Sequence, residues 1–244
     1  ESMPIDRYKG LLPFKIWKNN RDKYLSSGDV VFCECELFKK YVHCGNVLYW
    51  AIDRECLPMN PYLSENELQF CYLGSINNII DIPRITAFLR ECSAHKKCTL
   101  HIIGDGENKE YFIQEVLCVG VNVVDHKEVY DFQRKQEVFD QCNYGFNVMK
   151  PSVVVGLTMK SLDYMCAGLP IINTIKGDTK DFCEEWDIGF NLKKSNIKEV
   201  AERVCSESME VQLQRRKNIQ NLYNTYFTTK KFNATLDEAL NRIF

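Results

Sequence analysis

The sequence contains no apolar run approaching the roughly 18 residues needed to cross a bilayer. It opens on Glu1-Ser2-Met3-Pro4, which is polar where a secretory leader would turn basic and then apolar. These absences give no membrane span and no leader, and with them the expectation of a soluble, cytoplasmic chain; Met3 suggests that the first two residues are additions. An excess of positive charge is also missing. Lys and Arg number 31 against 33 Asp and Glu, a formal net charge of −2, so a surface built to neutralise nucleic-acid phosphates is not expected. The 12 glycines include no Gly-x-Gly-x-x-Gly, and no P-loop is present, which argues against a dinucleotide-dependent dehydrogenase or an NTPase. Cysteine is plentiful at 12, but paired Cys-x₂₋₄-Cys spacing is absent. The nearest cluster, Cys33-Glu34-Cys35 with His43 and Cys44, does not have it, and no metal is expected. The others lie in apolar strand-like or helical contexts, among them Cys71, Cys98, Cys118 and Cys166, in a chain too long for a small stapled scaffold. They read as reduced thiols packed as small hydrophobes.

What is present is alternation. The hydrophobic fraction of 45% and the charged fraction of 26% are those of a globular domain. From residue 68 onward, short apolar runs alternate with helical patterns of ten or more residues, the signature of a parallel α/β sheet. Strands are expected at 69–74, 98–103, 121–124, 144–149, 169–174 and 188–192. Helices are expected at 81–92, with Ile85, Phe88 and Leu89 inward, at 109–118, at 129–142, with Phe132, Val138 and Phe139 inward, at 158–166 and at 178–186. Gly168 stands where a helix C-cap belongs. Helices over 196–205, 210–226 and 230–244 should then cap the sheet, with Arg215, Arg216 and Lys217 on a solvated face. The fold class is therefore a doubly wound, Rossmann-like parallel sheet of about six strands with C-terminal helices. Residues 1–62 do not join the repeat. A helix over 9–24, strands at 29–33 and 46–51, and a proline-containing linker at 57–62 look like the tail of a preceding α/β domain, with the complete domain at 63–244.

Two turns carry possible chemistry. Gly74-Ser75-Ile76-Asn77-Asn78 follows the first strand at its carboxyl end, where open α/β sheets hold ligands. Its backbone amides with Ser75 and Asn77 suit a phosphate or a sugar hydroxyl, or else the side chains simply serve the turn. Further on, Gly156-Leu157-Thr158-Met159-Lys160 opens a helix whose N-terminal amides and positive dipole end suit a diphosphate. Lys160 in the first helical turn opposes the dipole and wants an anion nearby, either a ligand or Asp163 at i+3. Asp163 can accept hydrogen bonds from a ribose diol or stand as a solvated carboxylate.

Taken in order, Tyr72-Leu-Gly-Ser75, His101-Ile-Ile-Gly-Asp-Gly-Glu107 and Gly156-Leu-x-x-Lys-Ser-x-Asp-Tyr-x-x-x-Gly-Leu-Pro170 resemble the C-terminal domain of GT4-type glycosyltransferases. These are retaining, metal-independent enzymes of the GT-B fold that use nucleotide sugars. The resemblance covers about half of the chain, and its last motif is the most diagnostic. It implies that Asp163 holds the donor ribose and that the stretch from Gly156 through Leu157, Thr158 and Met159 to Lys160 meets the donor diphosphate. By the same resemblance Gly74, Ser75 and Asn77 form the first-strand turn, and the loop Asp125-His126-Lys127 borders the nucleobase, although His126 also fits an ordinary surface histidine. Two departures stand out. Many members carry Glu eight residues before the second acid, where this chain has Val155, and the Arg and Lys that grip the diphosphate are replaced by Ser75 and Asn77. The chain is similar to a polysaccharide-assembly branch with Gly-Leu-x-x-Lys-Ser, which tolerates these departures.

The resemblance implies transfer from a nucleotide-sugar donor, UDP-sugar favoured, to a hydroxyl on a glycan or lipid-linked acceptor, with no cofactor. A GT-B enzyme needs two such domains, so the acceptor half is expected elsewhere, together with peripheral membrane association of the full enzyme. No catalytic base can be named. A nucleotide-sugar 2-epimerase on the same scaffold and a non-catalytic transferase-like binding subunit remain alternatives, and a flavodoxin-like binding domain lacks its glycine and aspartate arrangements.

Overall fold

The computed structural model describes residues 10–25, 27–42 and 45–242; His43 and Cys44, and the expected helix ends at Lys9 and Phe244, lie outside them. The chain runs α1 (Leu12–Leu25), β1 (Phe32–Cys33), α2 (Glu36–Val42), β2 (Asn46–Val47), β3 (Glu67–Leu73), α3 (Ile82–Ser93), β4 (Lys97–Ile103), α4 (Lys109–Cys118) and β5 (Asn122–Asp125). It continues through α5 (Phe132–Gln141), β6 (Tyr144–Asn147), α6 (Met159–Ala167), β7 (Ile171–Asn173), α7 (Asp178–Glu185), β8 (Gly189–Asn191), α8 (Ile197–Ser206), α9 (Met209–Tyr226) and α10 (Thr229–Leu240). β3 to β8 form one sheet in the order β5-β4-β3-β6-β7-β8, with every pair parallel. The order reverses between β3 and β6, the topological switch point at which such sheets open a crevice.

The central strands are buried on both faces, which is why β3 reads as a near-continuous apolar run. Phe70 and Tyr72 point to one side, where α3, α4 and α8 supply Phe88, Phe112 and Val204; Cys71 and Leu73 point to the other, where α5, α6 and α9 supply Phe139, Leu162 and Ile219. Phe70 stacks on Phe146 at 5.4 Å between centroids and meets Phe88 edge-on at 5.8 Å. Ile85, Phe88 and Leu89 are fully buried as their spacing predicts, and Asp81 caps α3 by accepting from the Arg84 amide. Gly168 ends α6 at φ 71°, the left-handed cap that glycine tolerates without penalty.

Several expectations need correction. Arg215 and Arg216 are 3% and 1% exposed, whereas Lys217 is exposed. The buried stripe of α9 is Gln212, Arg215, Arg216, Ile219, Leu222 and Tyr223, so both arginines stand in register with its apolar members. Arg215 bonds Tyr144 Oη at 2.8 Å and pairs with Glu207 and Asp187. Arg216 donates to the carbonyls of Phe139, Cys142 and Gly168, where α5 and α6 end. A cation there satisfies free carbonyls and faces the negative dipole ends of two helices. Phe132 is 45% exposed rather than core, because α5 starts at Phe132 on an Asp131 cap and the preceding residues stay in a loop. Cys118 is exposed among ten free thiols, and Cys33 is disulfide-bonded, so the set is neither wholly reduced nor wholly packed inside.

The first segment contributes a two-stranded parallel sheet, β1 with β2, shorter than expected, and an unforeseen helix, α2. Asp178, the first residue of α7, accepts from the amides of Glu36 and Leu37 at 2.8 and 3.0 Å and from Tyr49 Oη at 2.7 Å, so it caps α2 from across the molecule. Tyr49, Trp50, Ile52 and Cys56 pack against the core beside α6 and α9. Among the described residues no helix is long and apolar enough to span a membrane.

Candidate functional site

A cleft of about 450 Å³ opens at the carboxyl ends of β3 and β4, facing the N-terminus of α6. Its floor is two touching loops. The Gly74 amide donates to Ile103 O at 2.8 Å, and a Cβ on Gly104, whose φ is 140°, would lie 2.2 Å from Gly74 O. Only glycine fits there. Lys109 reinforces the floor: its Nζ reaches Gly104 O at 2.9 Å and Asp125 at 2.9 Å. Burial acts to raise the Asp125 carboxyl, but hydrogen bonds from Lys127 and Lys109 outweigh it and hold the group down at about 2.

The opposite wall is the start of α6. Thr158 is its N-cap, accepting from the Ser161 amide; Ser161 Oγ lies 2.7 Å from Thr158 Oγ1 and accepts from Asn147 Nδ2 at 2.9 Å. The first amides of the helix, at Met159 and Lys160, have no intrahelical acceptor. Lys160 makes no ion pair among the described residues. Its Nζ bonds Tyr72 Oη at 3.0 Å and lies 4.3 Å from the centre of that ring, with its stem above Gly74. Burial pushes its ammonium down to about 8. This cation beside a helix N-terminus sits in a field that favours an anion.

Asp163 lies one turn deeper on the same wall. It does not pair with Lys160. Arg54 Nη2 donates to its Oδ1, and Lys135 Nζ stands 3.5 Å from the same oxygen. Both cations are mostly buried, at 14% and 11% side-chain exposure.

The expected site residues therefore divide. Gly74, Ser75, Thr158, Met159, Lys160 and Asp163 line one cleft. Gly156 and Leu157 do not: Gly156 is packed against Cys35 and Asp178 while its carbonyl accepts from Thr179, and Leu157 is 5% exposed in the core. Asn77 turns inward on its own loop, its Oδ1 accepting from the Ile79 amide at 3.1 Å. His126 stacks with His101, ring nitrogens 2.9 Å apart, and His101 reaches Gln69 Oε1 at 2.6 Å. Burial lowers both imidazoles, His101 to about 4 with the neighbouring His126 adding to the effect. The loop bordering the cleft is Glu128, Val129 and Tyr130, just past the stretch containing His126. Lys135 and Arg54 were not foreseen. Lys135 sits one helical turn after Asp131, so a polar reading was natural; Arg54 belongs to a segment whose pattern carries no sign of the cleft.

No curated protein matches the sequence of this chain. Among solved structures, Anabaena Alr3699/HepE in complex with UDP is similar with a TM-score of 0.74 and 14% identity, over 99% of this chain and 70% of that one. A variant of S. aureus TarM, in complex with fondaparinux, alpha-GlcNAc-glycerol and UDP, gives 0.67 and 13%, over 94% and 46%. The lipopolysaccharide outer core galactosyltransferase WaaB in its apo form gives 0.67 and 14%, over 90% and 63%. At these identities the likeness is one of fold, the GT-B kind of Rossmann-like sheet, and the chain spans about half to 70% of those chains. The motifs that bound the cleft fall inside residues 68–206, which match the family described as glycosyl transferases group 1, and the chain is a member of that family.

Proposed function

We propose that this chain is the donor-binding half of a retaining, GT4-type glycosyltransferase that moves a sugar from a nucleotide sugar, UDP-sugar favoured, to a hydroxyl of a glycan or lipid-linked acceptor in polysaccharide assembly. The observation that carries the reading is the Lys160 ammonium, bonded to Tyr72 Oη but in no ion pair among the described residues, at the open end of α6, above Gly74 and one turn from Asp163. The diphosphate would lie on the Met159 and Lys160 amides, with Lys160 taking the place of the family's Arg and Lys at the first-strand turn. The ribose diol would bond Asp163, and the base would lie along Glu128 to Tyr130. As the glycosidic bond breaks, charge grows on the leaving diphosphate; the helix dipole and Lys160 are fixed beforehand to receive it. The acceptor half, and with it any catalytic base, belongs to a domain preceding residue 63. HepE solved with UDP-glucose supports the choice of donor class.

Calorimetric titration with UDP, GDP and ADP tests the site. The wild type should bind one of them, and Lys160→Ala and Asp163→Ala should each weaken it tenfold or more. Failure of the wild type to bind any, or equal binding by both variants, overturns the assignment and favours a transferase-like subunit without a donor. Interconversion of a nucleotide sugar with its 2-epimer in the absence of acceptor would replace transfer by epimerisation.

A further inference from the structure

Asp163 stands between two spaces. On one side is the cleft; on the other is a small, partly open pocket lined by Arg54, Phe132, Lys135 and Cys166. Asp163 and Lys135 border both, whereas Arg54 borders only the smaller one. Arg54 thus reaches the carboxylate from behind. Its guanidinium carbon lies 3.8 Å from the centre of the Phe132 ring, and its backbone is held where Tyr223 Oη donates to Arg54 O at 3.2 Å and to Ile52 O at 3.3 Å. The segment around it is already anchored by apolar contacts of Ile52 and Cys56 and by Gln220 Nε2 donating to Leu57 O at 3.3 Å. The segment is held without the cation. The cation is spent on a carboxylate that lines the cleft.

The hydrogen bond from Arg54 and the approach of Lys135 both use Oδ1. That leaves Oδ2 to accept from a ligand and locks the rotation of the carboxylate about its stem. We propose that Arg54 is a positioning residue for the donor ribose: supplied by the segment preceding the sheet, it acts through Asp163 to present Oδ2 to the 2′- and 3′-hydroxyls. The inference rests on Asp163 being the ribose acceptor. It makes recognition of the sugar part of the nucleotide depend on residues outside the domain that forms the cleft.

The test pairs each nucleotide with its analogue lacking both hydroxyls. UDP, GDP and ADP and their 2′,3′-dideoxy forms are titrated into the wild type, Arg54→Ala, Arg54→Lys and Asp163→Asn. The wild type should prefer the ribose form of its nucleotide about tenfold, and Asp163→Asn should remove the preference. Arg54→Ala should shrink it to twofold or less while leaving affinity for the dideoxy form unchanged, and Arg54→Lys should restore part of it. A merely structural arginine would weaken both members of the pair equally, and that result overturns the proposal. If Arg54→Ala does not fold, Arg54→Met, which keeps the apolar stem over Phe132, carries the same comparison. Preference lost in Asp163→Asn but kept in Arg54→Ala rejects Arg54 alone. A wild type that binds no pair, or does not discriminate within one, rejects the ribose assignment itself.

Discussion

At the scale of single residues, burial and partners decide what each ionisable group does. Lys160 has its ammonium near 8 because burial disfavours the charge and no carboxylate restores it. A diphosphate would raise it, so binding should take up protons around pH 8. Nucleotide affinity should be flat between about pH 7 and 7.5, where the terminal phosphate is fully ionised, and fall by up to tenfold per pH unit from about pH 8 upward, with Lys160→Met weak and lacking that fall. Calorimetry in buffers of different ionisation heat checks both. His101 works in the opposite direction. It is 4% exposed and held neutral between Gln69 and His126, with its ring near 4 in the folded chain against about 6.5 when unfolded. The unfolded state therefore binds the proton more readily. Stability should be full above pH 6.5 and decline as pH falls toward 4, by up to about 3 kcal/mol. Urea unfolding at pH 7.5 and 4.5 should show that decline, and His101→Gln should flatten it.

At the scale of elements, the site depends on how closely two loops approach. Gly104 has no room for a methyl group, since its Cβ would meet the Gly74 carbonyl at 2.2 Å, and its φ of 140° is strained for any side chain. Gly104→Ala should destabilise the domain by about 2 kcal/mol or more in thermal unfolding and weaken nucleotide binding by moving the Gly74 turn. By comparison Gly120→Ala, where the Cβ meets nothing within 4 Å but φ is 76°, should cost only about 1 kcal/mol and leave binding intact. The start of α6 shows a related division. Thr158, Ser161 and Asn147 tie off the cap among themselves, which leaves the amides of Met159 and Lys160 for a ligand.

At the scale of the molecule, the segment before β3 is joined to the sheet domain by polar clamps over an apolar seam. Asp178 caps α2, and burial together with its negative charge pushes the Tyr49 phenol well above its ordinary range. Asp178→Ala would leave three donors without their charged acceptor, at a cost of about 3 kcal/mol. Hydrogen exchange should show protection lost across 32–42 and 45–49 while β3 to β8 keep theirs; uniform loss across both would mean that the two parts unfold as one unit.

How much of this was legible in the sequence follows from the range of the forces involved. Alternating apolar runs and helical spacings are local, so the six parallel strands, the inward faces of α3 and the Gly168 cap could be read directly. So could the cluster of Gly74, Ser75, Lys160 and Asp163, because strand ends and helix starts at a switch point must share one crevice. Arg216 was misplaced because the carbonyls it satisfies end two other helices, although its spacing from Ile219 already placed it on the buried stripe. Gly156, Asn77 and His126 lie in stretches of chain that adjoin the cleft, but a glycine pressed against α7, a side chain folded onto its own turn and a ring paired with His101 are outcomes of contact. Arg54 is the clearest case. Sequence alone determined that a parallel sheet would offer a helix N-terminus and a carboxylate at its crevice. Only the tertiary structure decided that a cation more than a hundred positions away would hold that carboxylate, since its energy comes from charges brought together by packing, which no local pattern records.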